Sequence, residues 1–251
     1  MREILCGRQP VRETLRAGRR QVFKLLLARG VKPTERVADV LALAEQARVP
    51  VQAVDRKELE KLSGEANHQG LAAEVSAYPY VALEDLTEAA RQADAPPFLL
   101  LLDHIQDPQN LGSLLRSAEA VGIHGVILPE RRAAGVTPAA VRASAGAAEH
   151  VRVAQVSNLV QAMRSLKEAG VWLAGLEATP RAQLYTEVDL RGPLGLVVGG
   201  EGERLARLVR ETCDFLIRLP MWGQVESLNA GVAGGIALYE ARRQRTTDRQ
   251  N

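Results

Sequence analysis

Three short segments in the C-terminal half of this 251-residue chain join glycines to polar side chains in a way that could build one ligand site. They are Asn110-Leu111-Gly112 with Arg116, Gly199-Gly200-Glu201-Gly202, and Pro220-Met221 followed by Ser227-Leu228-Asn229. Each stands where an apolar, strand-like run stops and a helical pattern begins. In an open α/β sheet the carboxyl ends of the strands leave a crevice lined by loops and helix N-termini, and ligands bind there. Three such turns on the same kind of boundary point to one composite site.

The residue types narrow the chemistry. Leu111, Leu114, Leu115 and Ala118 recur at helical spacing after Asp107-Pro108, which puts Asn110 near a helix N-cap and turns Arg116 toward solvent or a cleft. Gly200-Glu201-Gly202 is followed by Glu203, Arg204 and Leu205, so the third glycine of a dinucleotide fingerprint is missing. No Gly-Lys-Ser/Thr occurs either, and Glu201 would repel a pyrophosphate, so a cationic or neutral ligand suits this turn better. Ser227 is placed to cap the last helix, whose apolar stripe is Leu228, Val232, Ile236 and Tyr239. Gly231, Gly234 and Gly235 inside that helix each cost about 0.8–1.0 kcal/mol relative to Ala, which implies close backbone contact with another element or another subunit. Taken singly, each segment also has an ordinary structural reading as a cap, a turn or a tightly packed helix.

The elements that must position these residues read as α/β. After Pro97, strands are expected at Phe98 to Leu102, Gly125 to Leu128, Val151 to Val156, Val171 to Leu176, Leu194 to Val198 and Phe215 to Leu219, with helices between them. That alternation predicts a mostly parallel sheet covered on both faces. Before it, Phe23 to Leu27, a helix around Thr34 to Ala47, Val49 to Val54 and Leu71 to Val75 describe a smaller α/β domain. The expected division is residues 1–77, a linker over 78–97 with one short helix between Leu83 and Ala93, a large domain over 98–245, and a tail. Arg242-Arg243-Gln244-Arg245 and the residues after them read as a frayed basic end.

Bulk properties exclude several classes. The chain is 46% hydrophobic and 25% charged, enough for real cores. Its longest uninterrupted apolar runs, Phe98 to Leu102 among them, are far short of the ~18 residues of a membrane span, so no membrane association is expected. The N-terminus carries no apolar signal region, and Cys6 and Cys213 are too few for a disulfide framework, so a reducing cytoplasm is the expected compartment. His68, His104, His124 and His150 are isolated from one another, and no metal is expected. The net charge is only +2, yet residues 1–36 hold ten Lys/Arg against three Glu. Arg8, Arg12 and Arg16 share one face of a helix starting around Pro10, either a phosphate-binding stripe or a solvated face.

Together, Asn110 to Ala118, Gly199-Gly200-Glu201-Gly202-Glu203 and Leu219 to Asn229 resemble the three motifs of the SpoU (TrmH) branch of the SPOUT RNA methyltransferases. The resemblance covers about Phe98 to Arg245, and the N-terminal part is similar to that family's ribosomal-protein-like substrate-binding domain. It implies a trefoil knot in the large domain, an obligatory homodimer and S-adenosyl-L-methionine as cofactor, held around Gly199, Leu219, Leu228 and Leu176. It implies a polar catalytic group of Asn110, Arg116, Glu201, Ser227 and Asn229, with Arg116 open to being supplied across the dimer. Within the family, the chain is most similar to bacterial enzymes that methylate a guanosine 2′-hydroxyl of 23S ribosomal RNA.

A ribose hydroxyl is a poor nucleophile that must be aligned with the methyl donor and lose its proton as the bond forms. Family usage implies Arg116 as proton acceptor, but an arginine is essentially always protonated in a protein, which favours an orienting or phosphate-binding role. Glu201 could complement the sulfonium or hold Arg116, and Ser227 and Asn229 could supply hydrogen bonds. Two positions depart from the pattern: Arg204 stands where the second motif carries glycine, and Ala230-Gly231 where the third continues Val-Ser. The competing readings are a transfer RNA 2′-O-methyltransferase, a catalytically silent RNA-binding ribosome-assembly protein of the same fold, and a nucleotide-dependent dehydrogenase. The missing fingerprint disfavours the last.

Overall fold

The computed structural model describes residues 2–32, 34–64, 67–200 and 204–247. The chain forms two compact units, one of Met1–Pro79 with Val136–His150, the other of Tyr80–Gly135 with Val151–Asn251.

The first unit runs β1 (Arg2–Cys6), α1 (Arg8–Ala17), β2 (Val22–Ala28), α2 (Glu35–Gln46), β3 (Val51–Val54), α3 (Arg56–Ser63) and β4 (Leu71–Ser76). The sheet order is β1-β4-β2-β3, with β4 antiparallel to both neighbours and β2 parallel to β3. Strand β1 and helix α3 have no counterpart in the sequence reading. The starting helix begins at Arg8 rather than near Pro10, behind Gly7, whose φ of 102° favours glycine. On it, Arg8 donates to the Gln69 carbonyl and the Thr34 hydroxyl, Arg12 is paired with Asp39 and Glu13, and Arg16 is exposed.

Residues 136–150 carry α6 (Pro138–Ala143) and a 3₁₀ turn at Ala147–His150. They join this unit through a buried ion cluster in which Arg20 donates to Glu3 at 2.6 Å and to Glu149 at 3.1 Å. Burial raises the pKa of the Glu149 carboxyl, and Arg20 opposes that shift. The Tyr78 hydroxyl donates to the Ala148 carbonyl at 3.0 Å. Residues 136–150 were expected with the large domain, and the need of buried Glu149 for Arg20 accounts for where they pack.

The second unit opens with α4 (Leu83–Arg91), whose Leu86 and Ala90 are buried in its core although the segment reads as a linker. It continues with β5 (Phe98–Asp103), α5 (Pro108–Ala120), β6 (Gly125–Pro129), β7 (Val153–Val156), α7 (Leu159–Glu168), β8 (Trp172–Leu176), β9 (Gln183–Leu184), β10 (Leu194–Gly199), α8 (Arg207–Thr212), β11 (Phe215–Arg218) and α9 (Ala230–Thr247). All pairings in the order β7-β6-β5-β10-β8-β11-β9 are parallel. Leu99, Leu101, Leu173 and Val197 pack with α4, α7 and α8 on one face, while α9 covers the other, with Gly234 against Val198. Burial on both faces is why β5 is a continuous apolar run rather than an alternating one.

The C-terminal arginines are part of this fold, not a frayed end. Helix α9 continues to Thr247 because its last turns cap carbonyls of other elements. Arg242 donates to the Val121 and Gly122 carbonyls, and Arg245 to those of Pro96, Pro97, Leu190 and Gly192. Burial, and then Arg242, push the Arg245 guanidinium down to about 10. Among these cations, His124 Nδ1 accepts from the Phe98 N–H at 2.9 Å, a bond only the neutral ring can accept. Burial first, then Arg245, Arg242 and Arg152, hold this imidazole below its ordinary pKa.

The folded unit therefore binds the His124 proton less readily than the unfolded chain does. The stability this adds is fully present above about pH 6.5 and is lost as the pH falls below that, toward the lower folded-state value. Thermal melts at about pH 7.5 and about pH 5.5 are expected to show a drop in Tm. His124→Gln, which keeps an acceptor but takes up no proton, should shrink that drop.

Candidate active site

The strand order reverses between β5 and β10: from β5 the chain steps outward to β6 and β7, whereas β10 inserts on its other side, next to β8. Such a switch point opens a crevice at the carboxyl ends of the strands. In register, Asp103 ends β5 opposite Gly199, which ends β10. Beside Gly199, Gly200 approaches the neighbouring turn so closely that a Cβ there would lie 2.6 Å from the His104 carbonyl oxygen. Only glycine fits at that point.

A cavity of about 410 Å³ opens at this edge. Leu176 at the end of β8, Gly199 at the end of β10, and Leu219 and Leu228 in the segment after β11 all line it, together with Ser227 and Glu177. Glu177 is 7% exposed; Arg210 lies 3.4 Å from its Oε1, and Oε2 has no partner among the described residues. A buried carboxylate oxygen without a partner is costly and marks a place for a donor or a cation. Arg204, where the motif carries glycine, also borders the cavity.

Two caps differ from the sequence reading. Asp107, not Asn110, caps α5, accepting from the N–H groups of Gln109 and Asn110. Asn110 sits in the first turn and is buried. Helix α9 is capped by Asn229, not Ser227: its Oδ1 accepts from the Val232 N–H at 3.2 Å. With Ser227 two residues further out, its hydroxyl is left at the cavity. The Asn229 amide donates to Asn110 Oδ1 at 2.7 Å and so ties the first motif to the third. This contact depends on close packing of α5 and α9, where a Cβ on Gly231 would meet the Ser113 Cβ at 2.8 Å and one on Gly234 would overlap the Leu114 Cδ2.

Arg116 is exposed on α5 and does not line the cavity. Glu201 lies outside the described residues. The apolar stripe Leu228, Val232, Ile236 and Tyr239 faces outward, while Ala237, Leu238 and Ala241 are buried, so the inner face of α9 is made mostly of small residues. The sequence reading missed Glu177 at the cavity and an Asp103–His104 hydrogen bond beside it; Met221 and Glu226, which also line the cavity, were read only as part of the third motif, without a role. A carboxylate directly after an apolar strand was the available signal for Glu177. Among the described residues no cluster of three or more His, Cys, Asp or Glu could hold a metal, and no helix is long and apolar enough to cross a membrane.

A double-mutant cycle tests the Asn110–Asn229 link. Asn229→Ala should cost about 1 kcal/mol in urea unfolding through the lost cap, and its coupling to Asn110→Ala should be about 0.5–1.5 kcal/mol. Additive effects would show that the bond contributes nothing.

Residues 97–239 match the SpoU rRNA Methylase family, and residues 4–81 match the family described as RNA 2′-O ribose methyltransferase substrate binding. YacO of Bacillus subtilis (strain 168), named for the TrmH family of tRNA/rRNA methyltransferases, is 43% identical over 243 residues, covering 97% of this chain and 96% of YacO. Among solved structures, the chain is similar to the SpoU methyltransferase AviRb from Streptomyces viridochromogenes in complex with AdoMet. The TM-score is 0.80 at 26% identity, over 98% of this chain and 91% of that one. The AdoMet-bound rRNA methyltransferase from Sinorhizobium meliloti gives 0.78 at 25% identity, over 96% and 87%.

Proposed function

The chain belongs to the SpoU rRNA methylase family, and from that premise we propose that it methylates a ribose 2′-hydroxyl, that of a guanosine in 23S ribosomal RNA. It is an S-adenosylmethionine-dependent RNA methyltransferase. The observation that carries the reading is the cavity where the ends of β8 and β10 and the segment after β11 converge.

The residues at that cavity suit the cofactor. Leu176, Leu219 and Leu228 offer apolar surface for an adenine ring, and the Gly199 backbone leaves room for close approach. Glu177, with its unpartnered oxygen, can accept from ribose hydroxyls or complement the sulfonium charge. When bound there, S-adenosylmethionine supplies an electrophilic methyl group. Ser227 supplies a hydrogen bond there, while Asn110 and Asn229 hold the first and third motifs together; the family resemblance assigns Glu201 a charged role in the same group. Arg116 orients the hydroxyl or its adjacent phosphate, since a guanidinium presents five donors and accepts no proton in a protein.

Ribosomal RNA is favoured as substrate by the substrate-binding match over residues 4–81, because a separate domain can read RNA shape away from the methylated nucleotide. A homodimer through α9 accords with its outward stripe of Val232, Ile236 and Tyr239, which a monomer leaves in water. The trefoil knot belongs to the same reading.

The test is methyl transfer from labelled S-adenosylmethionine to unmodified ribosomal RNA, followed by nuclease mapping. Label in an alkali-resistant dinucleotide from the large-subunit RNA is the expected result; label in transfer RNA alone would move the substrate, and RNA binding without label would make the chain a silent binder. Arg116→Lys should lose turnover on the order of a hundredfold if bidentate orientation matters, and full turnover with unchanged RNA affinity would remove Arg116 from the chemistry.

A further inference from the structure

Charges of both signs line the cavity without pairing with one another. Among the described residues of the lining, Glu177 and Glu226 are the carboxylates and Arg204 is the only cation. Glu177 Oε1 lies 3.4 Å from Arg210, which stands outside the lining, and its Oε2 has no partner among the described residues. Glu226 and Arg204 are exposed, and neither forms an ion pair or hydrogen bond among the described residues. A guanidinium with five donors is thus left at a cavity wall with nothing described to accept from it.

The chain fixes Arg204 there from the side of the core. Leu205 is 3% exposed and packs into the apolar cluster beneath the sheet. The Ala206 N–H then donates to Oδ2 of Asp103 at 2.7 Å, and Asp103, the last residue of β5, is itself 3% exposed. Arg204 does not have a left-handed backbone, so the glycine that the second motif carries at this position is not demanded by conformation. The arginine stands without strain and adds a positive charge that the motif lacks.

S-adenosylmethionine carries a sulfonium, an ammonium and a carboxylate. Glu177 and Glu226 complement the two cations, and a cofactor carboxylate brought into the same cavity needs a cation of its own. We propose that Arg204 binds the carboxylate of S-adenosylmethionine, a contact that glycine at this position cannot make; this rests on the cofactor reading above. A planar guanidinium meets a carboxylate with two parallel N–H donors, the geometry for which arginine is suited. An RNA phosphate is the less favourable partner, because Glu177 and Glu226 in the same cavity would repel a phosphodiester brought there.

The experiment measures, by calorimetry on the full chain, the affinities of S-adenosylmethionine and of its decarboxylated analogue, which lacks only the carboxylate. Wild type is compared with Arg204→Gly and Arg204→Lys, and RNA affinity is measured for each. The expected result is that Arg204→Gly lowers the ratio of the two affinities about tenfold, by weakening S-adenosylmethionine and not the analogue. Arg204→Lys should restore part of that ratio, since it keeps the charge without the fork. An unchanged ratio in Arg204→Gly overturns the assignment: equal losses for both ligands make the role structural, and a loss confined to RNA affinity gives the guanidinium to the substrate. A wild-type chain that binds neither ligand overturns the cofactor reading and this one with it.

Discussion

The parallel pairing of β5 with β10 is the constraint on which the site depends. Leu99 to Leu102 are wholly buried because helices cover both faces of the sheet, so no polar group can serve chemistry from the strand interior. Polar residues can enter only where the ladder ends, at Asp103 and Gly199, which face one another in register. A one-residue slip would carry Asp103 past its partner and reverse every side chain of the strand between faces. The site's location is thus a consequence of core burial, and its composition a consequence of which loops the strand order brings to that edge.

The second dependence is the close approach of α5 and α9. Gly231 and Gly234 weaken α9 as a helix but let it lie against Ser113 and Leu114 at a distance that no side chain would allow. That proximity brings Asn229, the cap of α9, within 2.7 Å of Asn110 in the first turn of α5. One hydrogen bond therefore spans 119 residues of sequence and depends on packing at glycines that take no part in it. The small residues on the inner face of α9 also explain why its large apolar residues lie outside: with Gly234 touching β10, there is no room for Val232 or Ile236 beneath.

The strands of the large unit were legible because a parallel strand covered on both sides is a run of apolar residues, and β5, β6, β10 and β11 fall within a residue or two of where composition puts them. The cavity-lining Leu176, Gly199, Leu219 and Leu228 were legible only through motif resemblance, since nothing in an apolar residue at a strand end announces a ligand. Caps were misassigned by position alone: Asn110, Asp107, Ser227 and Asn229 are all acceptable cap residues, and only backbone geometry decides between neighbours. The arginines of α9 read as a tail because their partners are backbone carbonyls, which leave no trace in side-chain patterning. Glu149 and Arg20 are 129 residues apart, and no local pattern links a buried charge to so distant a partner.

The same pairing logic revises the basic character of the N-terminal unit. A count of ten Lys/Arg in residues 1–36 suggests a continuous surface for phosphates, but several of these cations are engaged in the fold itself. Arg20 is buried between Glu3 and Glu149, Arg12 is matched by Asp39 and Glu13, Arg2 bonds Glu74, and Arg8 is turned onto Gln69 and Thr34. Of the Arg8, Arg12 and Arg16 stripe, only Arg16 is exposed at the helix end. Counterion release scales with the phosphates actually neutralised rather than with formal charge. If this unit binds RNA as proposed, fewer of its arginines are free for phosphates than the count suggests, which leaves more of the recognition to shape and hydrogen bonding, as structured RNA allows through its minor groove and 2′-hydroxyls.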